Sequence, residues 1–272
     1  GGVAVVKVAL PDVERLRYTA GVTSLEYPYP VKLCMDKGRP YCGVDKVQSG
    51  AGLPNDTGIN GKGVAVIIVD SGLDYNHPAF RDKDGNTRIK LLVLRDQWGN
   101  FHEVSDPQEI AKLTSDAAEE THATHVMSIA AGTEIGNGYG GVAQEADLVF
   151  VQSYYKNFPE SSEGIFYRVN TDVAWTLEAA QKAHEIAKRL DCPSVINMSL
   201  ANEIGAHDGS DLAAQFMKEI SQDAIYCLSA GNYGCFKEHV HHTFAQDGET
   251  AKISLYNDQY SGVQFFSDND KP

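Results

Sequence analysis

No run of eighteen apolar residues occurs in the 272-residue chain, which excludes a membrane-spanning helix. Residues 1–10 lack a basic segment followed by an apolar run and a small-residue cleavage site, so they carry no visible secretory signal. Cysteine is scarce and irregular. Cys34, Cys42, Cys192, Cys227 and Cys235 are odd in number and have the spacing of neither a disulfide framework nor a zinc site. Cys192 and Cys227 border or lie within apolar runs and read as buried free thiols. Positive charge is also in short supply: 23 Lys and Arg against 37 Asp and Glu leave a formal charge of −14. A surface of that sign repels phosphate backbones and argues against a nucleic-acid partner. Repeats and low-complexity segments are absent.

What is present is an ordinary globular balance, 42% apolar and 22% charged residues, in a chain long enough to bury a large core. Four short runs rich in Val and Ile, at 64–69, 148–151, 195–198 and 225–228, do not alternate with polar residues. Such runs are expected of parallel strands covered on both faces. Between them, Val173, Leu177, Ala180, Ala183, Ala187 and Leu190 recur at three- and four-residue steps, which predicts a helix over about 173–190. Asn170, Thr171 and Asp172 supply cap candidates ahead of it. Strands alternating with helices imply an α/β fold, a parallel sheet flanked by helices.

The ends of the chain differ from its middle. Residues 1–48 read as a small N-terminal β-α-β module, and a polar, glycine-rich stretch at 48–63 reads as a linker. Residues 49–244 form the main domain. Residues 245–272 change to alternation such as Ala251-Lys252-Ile253-Ser254-Leu255, the start of a β-rich C-terminal tail.

Three segments carry chemistry. The first is an apolar strand ending in Asp70-Ser71-Gly72, with Asp74 and His77-Pro78 beyond it. A carboxylate at the carboxyl end of a parallel strand lies where α/β sheets open their functional crevice. The bland alternative is a strand-end Asp that caps a turn. The second is His122-Ala123-Thr124-His125-Val126, opening a buried helix. Its dipole disfavours imidazolium at His122, and a carboxylate on the other ring nitrogen would fix the tautomer. A structural histidine, or a His122–His125 metal pair, are the competing readings. The third is Ser229-Ala230-Gly231-Asn232 at a strand end, where the Asn232 amide could donate to an oxyanion or simply form a turn.

In order and spacing these segments resemble the subtilisin-like serine peptidases. Asp70-Ser71-Gly72 with Asp74 and His77-Pro78 matches the family's Asp motif, and His122-Ala123-Thr124-His125-Val126 its His motif with Ala123 in place of Gly. Gly141-Val142-Ala143-Gln144-Glu145-Ala146 resembles a family turn with Gln144 in place of Pro, and Val195-Ile196-Asn197-Met198-Ser199-Leu200 resembles the substrate-binding strand. The resemblance covers roughly residues 60 to 235. It implies hydrolysis of peptide or protein substrates, with Asp70 orienting His122, His122 as general base, and Asn232 as oxyanion donor. Ser199, Leu200 and Ala201 would pair with substrate backbone as an added strand. His77 and His125 are left structural. No cofactor is required; calcium is common in the family, but no ligands can be assigned. An extracellular or cell-envelope location is implied. Gly21-Val22-Thr23-Ser24-Leu25-Glu26 resembles the closing strand of a propeptide, a module that would pack on the catalytic core.

One element of the family is missing. No Gly-Thr-Ser nucleophile motif follows Asn232; Ser254, Ser261 and Ser267 remain, and none has that context. The chain is therefore expected to be an inactive fragment, with a degenerate pseudopeptidase acting as a binding or regulatory scaffold as the alternative; Ala123 and Ala201, where the family usually has Gly, keep that alternative open. An aspartic-protease reading needs a second loop like Asp70-Ser71-Gly72, and Asp208-Gly209-Ser210 has no apolar strand before it. A dinucleotide fold needs its glycines after the first strand, whereas Gly58, Gly61 and Gly63 precede it. Cys235, His239, His241 and His242 form a polar loop or, less simply, a metal cluster.

Overall fold

The structure is a computed structural model that describes residues 35–96, 98–117, 120–153, 173–201 and 208–232, with Arg15, Thr19 and scattered positions between 243 and 252. The chain divides into two compact units, Gly1–Cys34 and Met35–Pro272. The expected N-terminal strands, the caps at 170–172, the tail strands, and the Cys235–His242 cluster lie outside the described residues.

The second unit is built on six strands: β1 (Ala65–Asp70), β2 (Ile89–Arg95), β3 (Phe101–Val104), β4 (Asp147–Gln152), β5 (Ser194–Met198) and β6 (Ile225–Leu228). Their order across the sheet is β3-β2-β4-β1-β5-β6, and every pairing is parallel except the edge pair of β2 with β3. The helices are α1 (Met35–Tyr41), α2 (Val44–Ser49), α3 (Pro107–Lys112), α4 (His122–Ala131), α5 (Val173–Arg189) and α6 (Leu212–Ile220). This is the parallel sheet flanked by helices that the sequence pattern implies.

All six residues of β1 are buried, because side chains alternate across a strand and both faces are covered. Val66 and Ile68 enter a core with Leu73, Phe80, Phe150 and, from α4, Ala123, Met127 and Ala131. Ile67 and Val69 enter a second core with Val149, Ile196 and, from α5, Ala179, Ala180, Ala183 and Ile186. The small residues of α4 and α5 let both helices approach the sheet closely. In α5 the inward face is Ala179, Ala180, Ala183, His184 and Ile186, while Val173 at its start is exposed.

Two expectations need correction. The glycine-rich stretch at 48–63 is no free linker: Ile59 N donates to Val47 O at 3.0 Å, Glu145 N donates to Asn60 O at 2.7 Å, and the Gln48 amide donates to the carbonyls of Gly141 and Val142 at 2.9 and 2.8 Å. Gly58 is there for close approach, since a Cβ would lie 2.1 Å from Gln48 O. Cys192 is only half-buried and Cys227 is exposed, because β6 is an edge strand.

Candidate active site

Asp70 ends the central strand β1, where the parallel ladder stops and the chain turns. Its carbonyl accepts from Ser153 N, at the end of the adjoining β4, at 2.8 Å. Asp70 is 2% exposed, and its carboxylate accepts from Ser71 N at 2.7 Å. The turn that follows meets the start of α4. Ala123 N donates to Ser71 O at 2.9 Å, Thr124 N to Gly72 O at 3.2 Å, and Thr124 Oγ1 to Gly72 O at 2.9 Å. Two free N–H groups of a helix N-terminus are thus satisfied by the turn's carbonyls, and Thr121 at the N-cap makes no side-chain cap.

That docking delivers His122, the first residue of α4, onto Asp70. His122 Nδ1 lies 2.8 Å from Asp70 Oδ1 and 2.9 Å from Oδ2. An ionised carboxylate only accepts, so Nδ1 carries a proton, and in the neutral ring Nε2 keeps its lone pair. The His122 side chain is 55% exposed while that of Asp70 is 2% exposed, which leaves the outer edge of the ring open to solvent. Burial pushes the Asp70 carboxyl up, against the opposing pull of His122 and Ser71 N–H. The hydrogen bond that His122 donates to Asp70 pushes the imidazole above its ordinary value, and the charges of Asp70 and Glu120 add to this. The carboxylate therefore outweighs burial, which alone would disfavour imidazolium.

The other candidates stand at the same edge of the sheet. Ser199 and Leu200 follow β5 immediately, one step beyond the Val69–Met198 pair, and are half-buried; Ala201 is exposed. Ser199 Oγ accepts from Asn197 Nδ2 at 3.0 Å, and Leu200 O accepts from Ser229 Oγ at 2.9 Å. Asn232 leaves β6 through Gly231, is exposed, and makes no hydrogen bond to the Asp70–His122 pair among the described residues. His77 caps the short helix Pro78–Phe80, its Nδ1 accepting from Ala79 N at 3.3 Å, and its ring packs on Phe80. His125 is exposed on α4. Among the described residues, no three His, Cys, Asp or Glu side chains converge on a point that could hold a metal ion. Glu134, in the loop after α4, spends its carboxylate on Gly136 N and Gly138 N at 2.7 and 2.8 Å.

The sequence reading missed Asp116. Its carboxylate accepts from Gly72 N at 3.0 Å and Leu73 N at 2.8 Å, on the far side of the same turn. Only its position in an acidic stretch six residues before His122 could have drawn attention to it.

The subtilase family model matches residues 61–263. The chain belongs to the subtilase family. Among curated subtilases, the intracellular serine protease of Paenibacillus polymyxa is 26% identical over 71% of this chain and 48% of its own length. The minor extracellular protease Vpr of Bacillus subtilis is 28% identical over 74% of this chain and 20% of its own. This subtilase chain thus spans half or less of those relatives. Among solved structures, the CspB protease of Clostridium perfringens superposes with a TM-score of 0.50 at 25% identity, over 65% of this chain and 38% of that one. The fold and the family are those of the subtilisin-like serine proteases. No helix among the described residues is long and apolar enough to cross a membrane.

Proposed function

We propose that the whole protein is a subtilisin-like serine endopeptidase, and that this chain holds its Asp, His and oxyanion elements without the nucleophile. The observation that carries this reading is the bidentate seat of the His122 ring on the buried Asp70, with the other ring nitrogen open. In the reaction, a serine hydroxyl attacks the peptide carbonyl while His122 Nε2 takes its proton. Asp70 stabilises the imidazolium so formed, and His122 then passes the proton to the departing amine. The Asn232 amide donates to the oxyanion of the tetrahedral intermediate, and water attacks the acyl-enzyme with His122 again as base. Substrate backbone lies along Ser199, Leu200 and Ala201 as an added strand. This chemistry uses no cofactor. The first 48 residues act in this reading as a propeptide-like module packed on the core, and the protein works outside the cell or in its envelope, as the Bacillus relative's name indicates for that protein.

Without the nucleophile, the chain is inactive. The pseudopeptidase alternative drew on Ala123, where the family usually has Gly. That methyl is fully buried in the core with Val66, Ile68 and Leu73, so it does not crowd the exposed imidazole. Two observations test the proposal. A fluorophosphonate probe is expected to leave this chain unlabelled, and stoichiometric labelling at Ser261 would overturn the assignment. The coding sequence past Pro272 is expected to contain a Gly-Thr-Ser-x-Ala-x-Pro segment; a continuation without it replaces the peptidase with a non-catalytic scaffold.

A further inference from the structure

We infer that Asp116 is a positioning residue for the Asp70–His122 pair, clamping the turn after Asp70 to the strap of chain that leads into His122. The inference rests on the proposed pairing and adds a residue to it. The described start of the strap, residues 113–117, runs antiparallel beside the segment after Asp70. Tyr75 N donates to Thr114 O at 3.1 Å, Asn76 Nδ2 donates to Leu113 O at 2.7 Å, and Asp74 bridges to Ser115. Ala117 N donates to Ser115 Oγ at 3.1 Å and Glu120 N donates to Ala117 O at 3.0 Å.

The turn has two sides, and each is held by a different element. Its carbonyls, Ser71 O and Gly72 O, accept from the first turn of α4. Its N–H groups, on the buried Gly72 and Leu73, donate to the two oxygens of Asp116 at 3.0 and 2.8 Å. One carboxylate therefore satisfies two adjacent buried donors that would otherwise go unpaired. The fit is tight: a Cβ on Gly72 would lie 2.8 Å from the Glu120 carbonyl carbon, so turn and strap touch backbone to backbone. Both partners of the pair, Asp70 on one side and His122 on the other, are within six residues of this joint. Burial, with the charge of Asp70 as a lesser cause, holds the Asp116 carboxyl up at about 6. The cleft beside it is lined by Tyr75, Arg95, His102 and Lys112. Of these, Tyr75 feels the Asp116 charge, which joins burial in pushing its phenol up.

The test is NMR on the chain as it exists, reading the downfield Nδ1–H proton that His122 shares with Asp70 near pH 6. Asp116→Ala is expected to speed its exchange with solvent at least about tenfold or to broaden it away, with the β1 and β4 amides unmoved. The same shift and exchange rate as in the parent chain would overturn the inference. A role through charge alone would displace the His122 titration equally in Asp116→Ala and Asp116→Asn while leaving exchange unchanged, and that outcome also overturns it. Should Asp116→Ala fail to fold, the unmutated chain decides. Gly72 and Leu73 amide shifts are expected to follow one titration near pH 6, and flat shifts there refute the clamp. Asp70→Asn separates the two claims. If it leaves the Nδ1–H resonance in place, the pairing itself fails; if it abolishes the resonance and Asp116→Ala does not alter it, only the clamp fails.

Discussion

Replacing Gly72 with alanine is expected to cost more stability than the same change at Gly63, and the structure says by how much. Both glycines have left-handed backbone, φ +82° at Gly72 and +80° at Gly63. An alanine forced into that region costs roughly 1–2 kcal/mol at either site. The surroundings differ. A Cβ on Gly63 meets nothing within 4 Å, whereas on Gly72 it lies 2.8 Å from Glu120 C and 2.9 Å from Glu120 O and Cβ. Backbone atoms cannot rotate aside, so turn and strap must separate, at an overpacking cost of roughly 1–3 kcal/mol. The sums are roughly 2–5 kcal/mol for Gly72→Ala against roughly 1–2 for Gly63→Ala. Urea unfolding of the two variants, with equal m-values, measures the gap. Equal losses at the two positions would show that the strap yields freely, and the argument for a rigid joint at the site would fall with it.

Three further outcomes follow from other contacts. Arg88 is 6% exposed and donates to Ala131 O and Ala146 O at 2.7 Å, Ala143 O at 3.2 Å and Thr133 Oγ1 at 2.8 Å. Arg88→Met keeps the stem but strips donors from three carbonyls, and is expected to cost at least about 3 kcal/mol in urea unfolding, at about 1 or more per acceptor. The His122 imidazole is raised by Asp70, so its NMR titration midpoint is expected above the ordinary value and is expected to fall back in Asp70→Asn. The sign for stability follows: the imidazolium's contribution is complete below an unfolded value of about 6.5 and is lost as pH rises through the raised one. The stability gap between the chain and His122→Ala should therefore narrow as pH rises from about 6.5 through the raised value, and a gap that widens contradicts the pairing.

The strands around the site could be read from the chain because each is a short, mostly apolar run; the run at 225–228 coincides with β6, although β6 is largely exposed rather than covered on both faces, and those at 64–69, 148–151 and 195–198 each differ from theirs by a residue at one or both ends. The hairpin of β2 and β3 could not. Lys90 is exposed near the start of β2, and Arg95 at its end is buried against Phe101 and Trp175, with Gly99 O and Glu178 accepting its donors. Charged ends of that kind hide a buried strand. Asp70 and His122 were legible because strand end and helix start carry short signatures. Asp116 was not, because its partners are backbone N–H groups of residues more than forty positions away, and no local pattern records them. The stretch at 48–63 misled for the opposite reason: glycines that permit close packing have the same letters as glycines that permit freedom.

The turn at the end of β1 is held between a buried carboxylate, Asp70, and a half-buried one, Asp116, where a neutral cap would serve a purely structural purpose. Both are raised by burial, Asp70 in direction and Asp116 from 3.8 to about 6. A raised carboxyl pKa means stability that is complete below the unfolded value and falls as pH rises through the folded one; for Asp116 that is about 2 units, or about 3 kcal/mol by pH 7. An asparagine or serine in either place would avoid the loss. What neither could supply in place of Asp70 is the negative charge that touches the His122 ring at 2.8 and 2.9 Å. That charge is of little use to a neutral ring and of great use to one that has just taken a proton. In the proposed reaction the cost at Asp70 is thus accounted for by a histidine that cycles through its cation, and the cost at Asp116 by the two backbone N–H groups that it holds.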